Sequence, residues 1–290
     1  MFGIIGIVVV LVCVFGGYIL AGGKMTIIIK ALPFELMIIG GSAAGTFITA
    51  NGTATLGKAA KSFAKVFSGP KFKQQDYVDV LCLMFALLKL TKTKGVIAVE
   101  PHIEKPADSK LFQAYPKIAA DHFALDLICD SMRMLTMGMD DPHQFEEIVN
   151  KEIEKHHHDV MRAQSALQTV ADACPALGIV AAVMGVIKTM ASINEPPEIL
   201  GKMIGGALVG TFLGVFLAYG IVGPFASRVK SVIEEDQHFY NLIREVMVAA
   251  LHNHAPNVCV EVGRQNTPHH VRPSYGELEE ALKNVKSEAA

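Results

Sequence analysis

Four apolar runs, each about as long as a bilayer is thick, constrain this 290-residue chain more than any other feature. The first run covers residues 2–23 without a charged side chain, and the second covers residues 33–50. The third extends over about residues 174–193 and the fourth over about residues 203–225. A helix that crosses the hydrocarbon core of a membrane needs about 20 mostly apolar residues. The sequence therefore predicts an all-α, polytopic membrane protein with four transmembrane helices.

The polar segments divide the chain into four parts. Residues 1–50 hold the first two spans, 51–173 a helical cytoplasmic domain, 174–225 the last two spans, and 226–290 a cytoplasmic C-terminal tail. Near residue 51 the large domain begins with Lys58, Lys61 and Lys65 on one face of a predicted basic amphipathic helix. Such helices lie on anionic headgroups. A modest excess of Lys and Arg beside the large domain and the tail predicts that both termini are cytoplasmic.

Small residues and prolines distinguish the last two spans. Gly206, Gly210 and Gly214 are four residues apart in the fourth span, and the third span has a similar small-residue face. This spacing lets helices approach closely, either within the chain or against a partner span. Pro175 and Pro224 lie toward the cytoplasmic ends of these spans, where each removes a backbone donor and can end or kink its helix.

Titratable side chains are placed unusually in the spans. No Asp, Glu or His lies at the centre of any predicted span. Glu35 is expected at the mouth of the second span, because Pro33 suits the first turn of a helix. Proton relays inside membranes generally use Asp, Glu or His. If the chain conducts protons, the carboxylate that carries them is therefore expected from a partner helix.

Several classes of protein receive little support. The net charge of −2 gives no footprint for nucleic-acid binding. The five cysteines form no C-x-x-C pair, and the three consecutive histidines at 156–158 do not face one another on a helix. No phosphate-binding loop, nucleophile elbow or zinc-protease motif occurs in the sequence. We therefore expect neither an enzyme nor a bound metal or organic cofactor.

A charged stretch follows the first apolar helix of the large domain. Residues 92–100 read KTKGVIAVE, with Lys92 at one end and Glu100 at the other. The sequence leaves two interpretations open, which are a solvated turn and an electrostatic docking surface for another protein.

Four stretches together resemble the MotA subunits of bacterial flagellar stators, within the MotA/TolQ/ExbB proton channel family. They are VFGGYILAGG at 14–23, PALGIVAAVMGV at 175–186, LVGTFLG at 208–214 with LAYG at 217–220 and Pro224, and RPSYGELEE at 272–280. The second stretch is the most specific, and the similarity runs in register over nearly the whole chain.

The resemblance implies an assembly and a set of site residues. Five copies of the chain would surround the single spans of two MotB-like subunits, each of which supplies an Asp that binds the proton. Ion passage would turn the pentamer and push the rotor protein FliG. Pro175 and Pro224 match prolines that couple protonation to conformational change. Thr211 matches a threonine near the ion path. Thr189, at the far end of the third span, is assigned to the same path.

The resemblance also assigns the rotor contact and the coupling ion. Glu100 matches the family's rotor-contacting acid, whereas Lys92 stands where the family has an arginine, so the charge is kept and the planar guanidinium is lost. Sodium-driven relatives carry a threonine where this chain has Ala182. Because a hard cation needs oxygen ligands, the resemblance implies that protons are the coupling ion.

Two rival functions remain on the sequence alone. An ExbB- or TolQ-like subunit would use the same proton-driven mechanism to energise the outer membrane, but those relatives typically have three spans rather than four. A passive membrane scaffold would conduct no ions with any partner and would tolerate substitution of Pro175 and Pro224.

Overall fold

The structure, a computed structural model, describes residues 2–52, 57 and 68–288. Every regular element in these ranges is a helix, which confirms the all-α prediction. In chain order the α-helices are α1 (Phe2–Leu11), α2 (Gly17–Leu20), α3 (Met25–Ala50), α4 (Gln74–Lys94), α5 (Glu100–Glu104), α6 (Lys110–Gln113), α7 (Pro116–Ala119), α8 (His122–Thr136), α9 (Pro142–Ala191), α10 (Pro197–Phe216), α11 (Gly223–Leu251), α12 (Pro256–Gln265) and α13 (Tyr275–Glu288). The predicted basic helix with Lys58, Lys61 and Lys65 lies outside the described residues.

Two compact units share these helices. We call them the membrane unit, residues 1–69 and 159–232, and the polar unit, residues 70–158 and 233–290. The 50-residue helix α9 passes from the polar unit into the membrane unit, and α11 passes back. The domain boundaries that the sequence predicts, at residues 173/174 and 225/226, therefore lie inside continuous helices rather than in linkers.

In the part of the chain that the structure describes, the membrane unit contains four helical stretches that are long and apolar enough to cross a bilayer, as predicted. They are Gly3–Leu20, Met25–Ala50, and the apolar parts of Pro142–Ala191 and Pro197–Leu251. We call them spans 1 to 4. Span 1 contains a π-helical turn at Val12–Gly16, and span 4 contains another at Leu217–Val222, between α10 and α11. Gly22, at a φ of 81°, allows the tight turn from span 1 to span 2.

The polar unit has an aromatic and aliphatic core built around α4. Nearly every residue of α4 from Tyr77 to Leu88 is buried, so this helix is covered on all sides rather than along one stripe. The ring of Phe72 stacks on that of Phe239, with centroids 3.7 Å apart. Tyr77 meets Phe239 edge-on at 5.3 Å. These rings join the start of α4 to α11 within one core.

All five cysteines are free thiols. Four of them are buried, whereas Cys13 on span 1 is exposed. Burial raises the pKa of Cys82 and of Cys129, both in the core of the polar unit, to about 12. These two thiols are therefore neutral and unreactive at physiological pH.

Candidate functional site

Spans 3 and 4 pack through their glycines. A Cβ atom placed on Gly178 of span 3 would lie 2.9 Å from the carbonyl oxygen of Gly210 and 3.0 Å from the Cα of Gly214. About two turns further along span 3, a Cβ on Gly185 would lie 2.6 Å from the Cβ of Ala207. The two backbones therefore touch over about two helical turns, and glycine is required because the obstructing atoms are mostly backbone.

This packing decides between the two interpretations of the small-residue faces. Gly178, Gly185, Gly210 and Gly214 all bring spans 3 and 4 of the same chain together. Among the described residues, no atom lies within 4 Å of the Cβ position of Gly206, so this glycine faces away from the contact between spans 3 and 4. The small residues therefore serve mainly to pack spans 3 and 4 of the chain against each other. Of the three evenly spaced glycines in span 4, Gly206 is the one that stays open to a neighbouring helix.

The predicted ion-path residues lie along these two spans. Ala182 and Thr211 are half-buried. The backbone nitrogen of Ala182 lies 3.2 Å from the Cβ position of Gly210, the residue that precedes Thr211. Thr189 is buried, and its hydroxyl donates to the carbonyl oxygen of Gly185 at 2.9 Å. Ala182 and Thr211 thus approach one seam, whereas the Thr189 hydroxyl is occupied by its own helix.

The two predicted coupling prolines occupy different backbone settings. Pro175 lies inside the continuous helix α9 and is half-buried. Pro224 is exposed and lies two residues after the end of the π-helical turn Leu217–Val222. In that turn the amide of Gly223 donates to the carbonyl oxygen of Ala218, five residues earlier. Span 4 therefore widens where Pro224 removes a backbone donor, which is a common cause of a local bend in a helix.

The sequence predicts that Glu35 lies at the mouth of span 2, and this prediction is wrong. Helix α3 begins at Met25 and continues through Pro33, which lies inside it. Glu35 is buried, and its Oε2 lies 2.7 Å from the Cβ position of Gly210 in span 4. The apolar run at residues 27–29 is the sequence feature that could have shown that the helix begins ahead of the proline. A proline is tolerated there because neighbouring helices support interrupted transmembrane helices.

The two predicted rotor-contact residues belong to the polar unit. Lys92 lies in the last turn of α4 and Glu100 is the first residue of α5, and both are exposed. The ammonium group of Lys92 donates to the backbone oxygen of Asn253 at 3.1 Å. Asn253 adopts a φ of 62°, a left-handed conformation that asparagine tolerates. Lys92 is thus held by a turn that no pattern in the sequence connects with it.

A large apolar side chain lies in the short segment between these two charges. Ile97 is 77 % exposed, within the 3₁₀ turn Val96–Val99 that joins α4 to α5. A cavity of about 410 Å³ opens next to Lys92 and is lined mainly by apolar side chains, among them Leu135 and Leu251. The segment therefore combines both signs of charge with an apolar contact, which suits a protein-docking surface better than a solvated turn.

Comparison with known proteins gives matches over most of the chain. A family profile described as "Motility protein A N-terminal" matches residues 4–95. A second, described as "MotA/TolQ/ExbB proton channel family", matches residues 120–241. The first match covers spans 1 and 2 with α4. The second begins at the residue after α7 and extends into α11, so it contains spans 3 and 4.

Curated relatives agree over nearly the full length. Motility protein A of Salmonella typhimurium is 36 % identical over 284 residues, which cover 98 % of this chain and 96 % of that protein. Motility protein A of Escherichia coli gives the same identity and coverage. The chemotaxis protein LafT of Vibrio parahaemolyticus is 31 % identical, over 96 % of this chain and 97 % of its own length.

The fold is also that of solved stator structures. The structure of C. jejuni MotAB has a TM-score of 0.73 at 20 % identity, over 94 % of this chain and 98 % of the matched chain. The flagellar MotAB stator complex from Bacillus subtilis has a TM-score of 0.67 at 22 % identity, over 89 % and 92 %. An ExbB- or TolQ-like role is not favoured, because the similar proteins named here are motility proteins. The chain therefore belongs to the motility protein A family of flagellar stator subunits, within the MotA/TolQ/ExbB proton channels.

Proposed function

We propose that this chain, a multi-pass inner-membrane stator subunit, conducts protons together with a MotB-like single-span partner and converts their passage into torque on the rotor protein FliG. Five copies would surround two copies of the partner. The arrangement is proposed from the family, whose solved members are described as MotAB complexes.

One observation supports the need for a partner most directly. Spans 3 and 4 carry the predicted ion-path residues, yet residues 173–194 and 199–233 contain no Asp, Glu or His. These two spans therefore lack a carboxyl group of their own to carry a proton through hydrocarbon. The proposed partner supplies an Asp on its single span, next to the contact between spans 3 and 4 near Ala182 and Thr211.

Protons rather than sodium ions are the proposed coupling ion. Sodium needs several oxygen ligands, and Ala182 offers no side-chain oxygen at the place where the sodium-driven relatives carry threonine. The energy that each proton delivers is about 2.3 kcal/mol per 100 mV of membrane potential. That is several times the thermal energy, so one transfer can drive one conformational step.

Bending of spans 3 and 4 is the proposed response to the proton. Pro175 interrupts the backbone ladder of α9, and Pro224 borders the π-helical turn in span 4. A helix with missing backbone bonds bends more easily than a regular one. Thr189 at the end of span 3 would mark the other end of the moving segment.

The polar unit is the proposed output. Both termini and the polar unit lie in the cytoplasm in this account, because Lys and Arg are more frequent beside them. Lys92 and Glu100 then engage charges of the opposite sign on the rotor, and no metal, organic cofactor or enzymatic reaction takes part. The passage of protons alone is coupled to movement.

A complementation experiment tests this function. A strain that lacks both its own motility protein A and its own MotB-like partner receives this gene together with its neighbouring MotB-like gene, and swimming is scored by microscopy. The account predicts swimming that stops when a protonophore collapses the proton-motive force. Each gene alone is the matched control and restores nothing.

The opposite outcome is equally clear. If both proteins reach the membrane at normal levels in a strain carrying the matching rotor protein, and the cells still do not swim, the stator function fails. Proton flux through the complex without swimming would then favour the ExbB-like role, and no flux would favour a passive scaffold.

A further inference from the structure

Glu35 occupies a position that the proposed ion path does not explain. It lies ten residues after Met25, the first residue of α3. At 1.5 Å per residue it lies about 15 Å along the axis of a 26-residue helix that is about 39 Å long. A carboxyl group at such a depth is costly and is kept in membrane proteins mainly for function.

The surroundings of Glu35 are apolar and closely packed. The residue is only 7 % exposed, and its Oε2 has no hydrogen-bond partner among the residues that the structure describes. That oxygen lies 2.7 Å from the Cβ position of Gly210 in span 4. The Cβ atom of Ala181 in span 3 lies 3.0 Å from the same position. The carboxyl oxygen therefore reaches the place where spans 2, 3 and 4 meet.

The absence of a compensating charge bears on the protonation state of this group. Within the described ranges no Lys, Arg or His forms an ion pair with Glu35. An unpaired carboxylate loses its hydration when it is buried, whereas the neutral acid loses much less. Burial without a paired positive charge therefore favours the neutral acid over the anion.

The same place adjoins the predicted ion path. Gly210 directly precedes Thr211, and the backbone nitrogen of Ala182 is 3.2 Å from the Cβ position of Gly210. Glycine at 210 is what allows the carboxyl oxygen to come this close, since any side chain there would displace it. Helix packing alone would be served better by an apolar residue, because it would leave no unsatisfied polar atom in the seam.

We propose that Glu35 is a proton-binding site of this chain itself, which is protonated while the seam between spans 2, 3 and 4 is closed and exchanges that proton with the ion path when the seam opens. The proposal rests on the proposed proton transport. One proton is taken up by the carboxylate to give the neutral acid, and the same proton leaves to the path when the acid ionises. The site therefore adds a relay carboxyl on the stator subunit to the one expected from the partner.

Chemical labelling tests the protonated acid without any substitution. Dicyclohexylcarbodiimide reacts with a protonated carboxyl group in apolar surroundings. The acid proton moves to a carbodiimide nitrogen, the carboxyl oxygen bonds to the central carbon, and the product rearranges to a stable N-acylurea. The complex with its partner is treated in proteoliposomes and the digested peptides are analysed by mass spectrometry. Glu198, an exposed carboxylate paired with Lys202 at 2.9 Å, is the internal comparison.

The expected result is labelling of Glu35 at least about tenfold above that of Glu198, in line with the strong preference of proton transfer for the correctly protonated group. Glu198 should instead be labelled by a water-soluble carbodiimide, which shows that both peptides are recovered. Recovery of the Glu35 peptide without label overturns the proposal.

Proton flux separates this inference from the function on which it rests. Proteoliposomes with the wild-type complex, Glu35→Gln, Glu35→Asp and the control Glu198→Gln are given a potassium diffusion potential, and internal acidification is followed. We expect Glu35→Gln to lower the flux at least about tenfold, Glu35→Asp to keep part of it, and Glu198→Gln to match the wild type.

Each outcome has one meaning. No flux through the wild-type complex contradicts the proposed proton transport. Wild-type flux that Glu35→Gln leaves unchanged overturns the role of Glu35 alone. If Glu35→Gln does not assemble with the partner, the labelling of the unmodified complex decides.

Discussion

Gly178 of span 3 and Gly214 of span 4 face each other so closely that a Cβ atom on Gly214 would lie 2.8 Å from the Cα of Gly178. The same Cβ would lie 2.6 Å from the carbonyl oxygen of Cys174. Both obstacles are backbone atoms, which cannot turn aside as the end of a long side chain can. The distance between the two spans is therefore set by the absence of side chains at these positions.

Gly214→Ala should consequently separate spans 3 and 4. Overpacking of this kind typically costs about 1–3 kcal/mol, and the displaced seam includes Ala182 and Thr211. We expect a large loss of swimming speed and a lower melting temperature of the purified complex. Gly201→Ala is the matched control, because it adds the same methyl group to α10 at an exposed glycine, whose Cβ position has no described atom within 4 Å. Equal swimming of the two variants would contradict the packing argument.

Pro224→Leu should abolish torque while the complex still assembles. The substitution restores a backbone donor after the π-helical turn Leu217–Val222 and favours a regular helix there. Torque is measured by bead rotation, and assembly by co-purification with the partner. Pro197→Leu, at the start of α10 where a missing donor costs nothing, is the control and should rotate normally. Loss of assembly in Pro224→Leu would make the proline structural instead.

Charge reversal tests the docking surface of the polar unit. Glu100→Lys should slow swarming, and the double variant Lys92→Glu with Glu100→Lys should slow it further, because like charges placed across an interface repel. Lys151→Glu, which reverses an exposed lysine on α9, should swarm like the wild type. Full motility of the double variant would show that neither residue contacts the rotor.

The aromatic core of the polar unit makes a separate prediction about stability. Phe239 is completely buried and stacks on Phe72. Phe239→Ala should lower the free energy of unfolding by about 3–5 kcal/mol, seen as an earlier thermal transition of the purified protein. Ile97→Ala, at a highly exposed position, should change it by no more than about 0.5 kcal/mol. Similar transitions for the two variants would mean that the stack contributes little.

The sequence predicts the four spans because hydropathy and length alone determine which segments can cross a bilayer. It misplaces Glu35, since Pro33 suggested a helix start, whereas the surrounding spans support a helix that continues through the proline. The sequence also does not show whether the glycines of spans 3 and 4 face each other or a partner span. That choice depends on the relative rotation of two helices, which spacing along one helix does not specify.

The hydrogen bond from Lys92 to the backbone of Asn253 shows a similar limit. The two residues are 161 positions apart in the sequence, and neither carries a pattern that pairs it with the other. Charge and exposure at residues 92–100 could be read from the sequence, but the turn that holds Lys92 depends on the tertiary packing of α4 against the segment after α11.

The coupling ion is tested most directly by the rotation of tethered cells whose only stator contains this chain and its partner, while the proton-motive force and the sodium gradient are varied independently. We expect the rotation speed to follow the proton-motive force and to stay constant when sodium is replaced by potassium. Rotation that follows the sodium gradient, and persists when a protonophore has collapsed the proton-motive force while the sodium gradient is maintained, would contradict it.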